Sequence, residues 1–170
     1  ASSSWFAQMT TTGRVRPIRD ARVASPPTPE KKGTLMADVQ LDTSTERGRH
    51  VATRLREDIV GWLTTVRPSG QPDSVPVWFL WDGETIVIYS RPNQVKLRNI
   101  ASNPHVSFTV DDTKGGGDVI RIEGTAAVDA AQPRPDASPA YKAKYDQHII
   151  DIGYTAAEFA AAYSEAIVIT

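Results

Sequence analysis

Apolar residues recur with two different periods along the chain, and the change of period separates a helix from a strand. Behind Thr45, a residue type that caps helix N-termini, Val51, Leu55 and Ile59 follow one another at intervals of four. That spacing predicts one buried face of an α-helix. From Ile59 to Val66 the chain becomes rich in β-branched residues, which favours a strand directly after the helix.

Five later segments have a similar strand-like composition and are bounded by turn-forming residues. They span residues 75–81, 85–90, 105–110, 119–128 and 166–170. The Asp82-Gly83 pair predicts a tight hairpin between the first two of these, so the first three strands of the chain form a β-meander. Pro76 lacks a backbone donor and therefore requires an edge or otherwise unpaired position in the sheet.

Helices and two irregular connections are predicted between these strands. The helices span residues 94–102, 141–149 and 155–163. Asn93 is the predicted N-cap of the first, and Thr155 with Glu158 forms a capping-box pattern at the start of the last. A glycine-rich connection covers 111–118 and a proline-rich one covers 132–139. Together these elements predict a mainly β domain of the α+β class, a six-stranded antiparallel barrel with short flanking helices.

The formal net charge of −1 on the 170 residues is unevenly distributed. Residues 1–35 carry six basic and two acidic side chains, whereas residues 36–170 carry 13 basic and 18 acidic ones. The basic segment has few apolar residues, which predicts a disordered leader ahead of an acidic domain at 36–170. Met36 is a candidate natural start, with a functional tail at 1–35 as the alternative. The acidic domain argues against nucleic acid as a partner.

Composition also argues against several other classes of protein. The chain has no cysteine, which excludes a disulfide scaffold and a thiolate metal site. No apolar run approaches the roughly 20 residues that span a bilayer, and the N-terminal region lacks the apolar stretch of a secretory signal. We therefore expect no membrane partner and a cytoplasmic location. The three histidines, His50, His105 and His148, lie far apart, so no metal site is expected.

Three basic side chains fall within eight residues of this acidic domain, at Arg91, Lys96 and Arg98. They follow the predicted strand that ends at Ser90, and two of them lie on the helix that comes next. A helix N-terminus offers unpaired N–H groups and a positive partial charge, both of which suit a phosphate. The cluster therefore indicates a phosphate site, with a solvated basic helix face as the alternative.

A longer series of short motifs carries a family resemblance. In chain order the motifs are Thr64 to Pro72, Val75 to Phe79, Tyr89-Ser90, Lys96 to Ile100, Asn103-Pro104, Val106-Ser107 and Ile122 to Ala126. With this order and spacing, the span from Arg54 to Val128 resembles the pyridoxamine-phosphate-oxidase-like split-barrel family. The resemblance implies a six-stranded split β-barrel that forms a homodimer, with a flavin or deazaflavin at the dimer interface. Trp62 and Trp81 are expected to be core or dimer contacts.

The resemblance implies cofactor-binding roles for particular positions. Tyr89-Ser90 matches the family's strand-end pair, and Lys96 matches its phosphate-binding lysine. Arg91, Gln94 and Arg98 accompany them as further cofactor-binding candidates. No side chain is assigned a catalytic role, because the cofactor carries the chemistry in such enzymes.

The second predicted strand departs from the pattern of the true pyridoxamine phosphate oxidases. Those enzymes place an arginine and a lysine on this strand to hold FMN, whereas this chain has Ser74 and Phe79. The pattern at 76–79 looks more like the actinobacterial branch that uses the deazaflavin coenzyme F-420, with Val77 and Trp78 lining the cofactor ring. The resemblance thus implies a reductase that transfers a hydride from reduced F-420 to a small planar or conjugated substrate. The alternatives are an FMN-dependent oxidase of a pyridoxamine-like phosphate ester and a non-catalytic cofactor carrier.

Overall fold

The computed structural model describes residues 41–111 and 115–170, so the predicted leader at 1–35 lies outside the described residues. The helices are α1 (Glu46–Glu57), α2 (Val95–Ser102), α3 (Pro139–Asp151) and α4 (Ala156–Ala162), with one 3-10 turn at Pro135–Ala137. The strands are β1 (Val60–Val66), β2 (Pro72–Trp78), β3 (Leu80–Trp81), β4 (Ile86–Ser90), β5 (His105–Val110), β6 (Ile120–Val128) and β7 (Glu165–Ile169).

The strands form one antiparallel sheet in the order β2-β1-β5-β6-β7-β4-β3. β2 and β3 lie at its two edges, although only Phe79 separates them along the chain. The sheet therefore curls until its edges meet at this residue, which produces the predicted antiparallel split barrel. It has seven strands where six were expected, because the segment 75–81 divides at Phe79 and its two parts pair with different strands.

The local signals for this part of the sheet are confirmed. β2 pairs with β1 and lies at the sheet edge, where Pro76 stands opposite Trp62. This edge position suits a residue without a backbone donor. β3 and β4 form the hairpin that the Asp82-Gly83 pair predicted.

Two hydrophobic cores lie on the two faces of β4. Ile86 and Ile88 pack inside the barrel with residues such as Phe108. Val87 and Tyr89 face the other way, against the aromatic side chains of α3 and α4. All five residues of β4 are consequently buried. No helix in the described part of the chain combines the length and the apolar character needed to cross a membrane.

Two of the predicted helix caps are confirmed. The hydroxyl of Thr45 accepts a hydrogen bond from the amide of Gly48 at 3.0 Å. Thr155 and Glu158 form both reciprocal bonds of a capping box at the start of α4. These bonds satisfy amide groups that have no partner inside the helix.

The predicted cap of α2 was wrong. Asn93 has a left-handed backbone with φ of 63°, and the N-cap position belongs to Gln94, whose side chain makes no capping bond. Asparagine adopts the left-handed region more readily than most residues, and the turn between β4 and α2 uses that property.

Candidate cofactor site

The ammonium group of Lys96, on the first turn of α2, is half-buried and has no bonded partner. Within residues 41–111 and 115–170 it makes neither a hydrogen bond nor an ion pair. Burial lowers the pKa of Lys96, and attraction to the carboxylate of Asp73 offsets part of that decrease. Asp73 is itself paired with Arg67, at 2.7 Å. A partly desolvated cation without a partner is suited to bind an anion.

A buried polar contact holds α2, and with it Lys96, against the sheet. The side-chain amide of Asn99 donates to the hydroxyl of Thr65 on β1 at 2.9 Å, and both residues are buried. The hydroxyl of Thr65 in turn lies 3.4 Å from the carbonyl oxygen of Asp73. Ile100, the next residue of α2, packs into the barrel core. These contacts fix the helix face that carries Lys96.

Arg91 follows the end of β4 and reaches a different part of the molecule. Its guanidinium donates to the hydroxyl of Tyr154 at 2.7 Å and lies 5.0 Å from the ring centroid of Tyr163. Tyr163 is also the main cause of a raised pKa at Arg91. The side chain is therefore held in place although it is exposed.

Gln94 and Arg98 line a cavity of about 340 Å³ that also contacts Glu165. The guanidinium of Arg98 donates to the carbonyl oxygen of Asn93 at 2.9 Å. Two residues along a helix correspond to roughly 200° of rotation, so Arg98 and Lys96 lie on different sides of α2. Arg91, Lys96 and Arg98 are close together in the sequence, but in the described part of the chain they share no bonded partner.

Tyr89 and Ser90 are largely committed to contacts within the protein. The hydroxyl of Tyr89 donates to the carbonyl oxygen of Pro133, and its ring packs edge-on against Tyr141 at 4.8 Å. The hydroxyl of Ser90 donates to the carbonyl oxygen of Arg91 at 3.0 Å. Their roles as cofactor contacts stay predictions.

The two residues predicted to line the cofactor ring lie on β2 with their side chains in different cores. Val77 is buried inside the barrel. Trp78 stacks on Tyr145 of α3, with ring centroids 4.9 Å apart, and on Phe159 of α4, at 5.7 Å. This alternation follows from the two-residue period of a strand. A ring-lining role for either residue stays a prediction.

The two positions that the resemblance to pyridoxamine phosphate oxidases marks for cations, Ser74 on β2 and Phe79 directly after it, carry none here. The hydroxyl of Ser74 is hydrogen-bonded to that of Thr64 at 2.7 Å. Phe79 is completely buried and packs on Phe108 in the barrel core.

A second cavity, of about 330 Å³, is lined by Glu57, Asp58, Asp111, Ile59, Val60 and Trp62. Its three carboxylates make it unsuited to an anionic cofactor.

The aromatic partners of Arg91 were missed in the sequence. Tyr154 lies 63 residues after Arg91 and Tyr163 comes later still, at the end of α4. Neither residue belongs to a periodic pattern or to a motif of the family resemblance. Only the packing of α4 beside the end of β4 brings them to the candidate site.

Comparison with known proteins decides the family. A sequence model of the pyridoxamine 5'-phosphate oxidase family matches residues 48–169, which is most of the chain. The chain belongs to this family. The resemblance carried by the short motifs is thereby confirmed.

One curated protein shares substantial sequence identity with part of the chain. It is the 5a,11a-dehydrotetracycline/5a,11a-dehydrooxytetracycline reductase of Streptomyces rimosus, 43% identical over 82 residues. The matched region covers 44% of this chain and 58% of that protein, so the chain spans little more than half the length of this relative.

Solved structures confirm the fold. A candidate pyridoxamine 5'-phosphate oxidase from Listeria innocua superposes with a TM-score of 0.52 at 22% identity, covering 72% of this chain and 90% of that one. General stress protein 26 from Bacillus anthracis superposes with a TM-score of 0.54 at 20% identity, covering 72% of this chain and 86% of that one. At this level of identity the likeness concerns the fold alone.

Proposed function

We propose that this protein is an oxidoreductase that binds the deazaflavin coenzyme F-420 and transfers a hydride to a small planar or conjugated organic substrate. Family membership supports a cofactor of the flavin type. The main support for an anionic cofactor is Lys96, whose half-buried ammonium has no bonded partner in the described residues. The choice of F-420 over FMN rests on Ser74 of β2 and on Phe79 directly after it, which stand where the FMN enzymes carry two cations.

The residues of the candidate site fit such a cofactor. Lys96 would hold its phosphate, and Arg91, which is held by Tyr154 and Tyr163, would bind another of its anionic groups. Gln94 and Arg98, beside the 340 Å³ cavity, would contact its anionic tail. Reduced F-420 would supply a hydride when it is bound, so the chemistry requires neither a protein nucleophile nor a pair of catalytic carboxylates.

The remaining work of the protein is to orient the cofactor and to exclude water. Tyr89 and Ser90 form the rigid end of β4 beside the site, because their hydroxyls are bonded to backbone carbonyls. The side chains of Val77 and Trp78 pack in the two cores. We therefore propose that these residues contact the cofactor ring with their backbone atoms.

The substrate class is inferred from the Streptomyces rimosus relative. That protein is a reductase of dehydrotetracyclines and is 43% identical over the matched region. We extend to this chain the broader class only, a conjugated organic molecule that accepts a hydride.

We also propose that the protein forms a homodimer. On the outer face of β1, Val60 is 42% exposed and Trp62 is 47% exposed. Trp62 stands between Pro76 of β2 and Thr109 of β5, so it lies within the sheet face rather than at its rim. A large apolar side chain in such a position is typical of a protein interface.

Titration with purified F-420 and with FMN tests the cofactor. We expect F-420 to bind more tightly than FMN and the protein to be colourless without added cofactor. Tighter binding of FMN, or a flavin absorption band in the protein as purified, would support the FMN alternative. Binding of F-420 without hydride transfer to any of a panel of quinones, tetrapyrroles and nitroaromatics would support a carrier.

A matched pair of variants tests the site. Lys96→Ala should weaken F-420 binding by about 1–3 kcal/mol, because a charge-assisted bond in a partly buried site is lost. Arg47→Ala removes one positive charge from an exposed position of α1 and should leave the affinity unchanged. Equal affinities of wild type and Lys96→Ala would remove Lys96 from the site.

A further inference from the structure

Arg91 is held by two tyrosines and by no carboxylate. Its guanidinium donates to Tyr154 at 2.7 Å and stacks over Tyr163 at 5.0 Å, and no acidic group of the described residues is paired with it. A carboxylate in the same place would neutralise the charge. Neutral phenols orient the guanidinium and leave its positive charge available.

The position of Tyr154 is determined by the backbone on both sides of it. Gly153 adopts a left-handed conformation with φ of 84°, and the amide of Tyr154 donates to the carbonyl of Ile149 at 3.0 Å, which closes the C-terminus of α3. The next residue, Thr155, is the N-cap of α4 and belongs to its capping box. Tyr154 is therefore fixed between two helix ends.

Tyr163 is anchored at the other end of α4. It is the C-cap residue, and its amide donates to the carbonyl of Phe159 at 2.8 Å. Its ring also stacks on Phe159 with centroids 4.3 Å apart. Phe159 is buried in the core between the sheet and the helices, so the ring beneath Arg91 has a rigid base.

We propose that Tyr154 and Tyr163 are positioning residues that hold Arg91 ready to bind the anionic group of the cofactor. This inference rests on the proposed function. A guanidinium has five N–H donors, so the bond to Tyr154 leaves donors for a phosphate or carboxylate. A long side chain that is ordered before binding loses less conformational entropy when the ligand arrives.

A double-mutant cycle on F-420 affinity tests this inference. We expect Arg91→Ala to weaken binding about tenfold and Tyr154→Phe to weaken it about threefold, as for loss of one charged contact and of one orienting hydrogen bond. In the Arg91→Ala background, Tyr154→Phe should have no further effect. The melting temperature of Tyr154→Phe should equal that of wild type, because one exposed hydrogen bond is removed. Arg47→Ala is again the charge control.

Other outcomes separate this inference from the proposed function. If Tyr154→Phe has no effect on affinity, or the same effect with and without Arg91, the tyrosine does not act through Arg91 and the inference is overturned. If Lys96→Ala weakens binding while Arg91→Ala does not, the inference fails and the proposed cofactor site stands. If neither substitution affects binding of F-420, both fail.

Discussion

The ammonium of Lys144 on α3 donates to the carbonyl oxygen of Phe79 at 3.1 Å. It also donates to the carbonyl of Leu55, near the end of α1, at 3.3 Å. The neighbouring Tyr145 completes the arrangement, since its hydroxyl accepts from the amide of Phe79 at 2.9 Å. Two adjacent side chains of α3 thus satisfy both backbone groups of the residue at which β2 ends and β3 begins. The junction of the two sheet edges is stabilised by this pair.

The stability contributed by Lys144 should depend on pH. Burial lowers the pKa of Lys144 from its ordinary 10.5 to about 8. Between these two values the unfolded chain binds the proton more tightly than the folded chain, so the contribution of Lys144 to the free energy of unfolding rises with pH from about 8 to 10.5. The same contribution is lost as the pH falls from 10.5 to about 8. Chemical denaturation of wild type and Lys144→Met from pH 7 to pH 10 measures the difference between their free energies of unfolding. This difference should shift in favour of wild type as the pH rises. A difference that is constant with pH would contradict the prediction.

The strands were predictable because their signal is local. β5 has the predicted bounds, and β1 begins one residue after the predicted start. The break at Phe79 was not predictable, because the side chains that bond its backbone lie 65 and 66 residues later in the chain.

The candidate site was predictable as a segment but not as a geometry. The order of residues from Tyr89 to Arg98 is typical of a strand that leads into a phosphate-binding helix. The directions of Lys96 and Arg91 depend instead on distant neighbours. Thr65 of β1 orients the helix that carries Lys96, and Tyr154 holds Arg91.

The buried amide of Asn99 and the buried hydroxyl of Thr65 should be energetically coupled, because each is the other's hydrogen-bond partner. Thr65→Val leaves the buried amide of Asn99 without its acceptor, and Asn99→Leu leaves the buried hydroxyl of Thr65 without that donor. Each substitution should lower the free energy of unfolding by about 1–3 kcal/mol. The double variant should cost clearly less than the sum, because both polar groups are then gone. Urea denaturation of the four proteins measures the coupling, and additive losses would contradict it.

Gly124 should not tolerate a side chain. It lies on β6 where the strand leaves β5 and turns to β7, and a Cβ atom here would come within 2.4 Å of the carbonyl oxygen of Thr170. Thr170 is bonded in both directions to the backbone of Thr125, so its carbonyl cannot easily withdraw. Gly124→Ala should therefore destabilise the protein by about 1–3 kcal/mol. Thermal unfolding checks this against Gly117→Ala, where a Cβ meets nothing within 4 Å and the change should stay within about 0.5 kcal/mol. Equal losses would show that steric contact is not the cause.

Trp62 should control the oligomeric state if the outer face of β1 forms the subunit interface. Trp62→Glu places a charge in the middle of that face and should weaken dimerisation by about 2 kcal/mol or more, as expected for a central tryptophan of an interface. The control is Ile150→Glu, which adds the same charge at another exposed apolar residue, on α3 and 62% exposed. Sedimentation velocity over a concentration series should show dimers for wild type and Ile150→Glu and monomers for Trp62→Glu at low concentration. A monomeric wild type, or a Trp62→Glu variant that dimerises like wild type, would exclude this face as the interface.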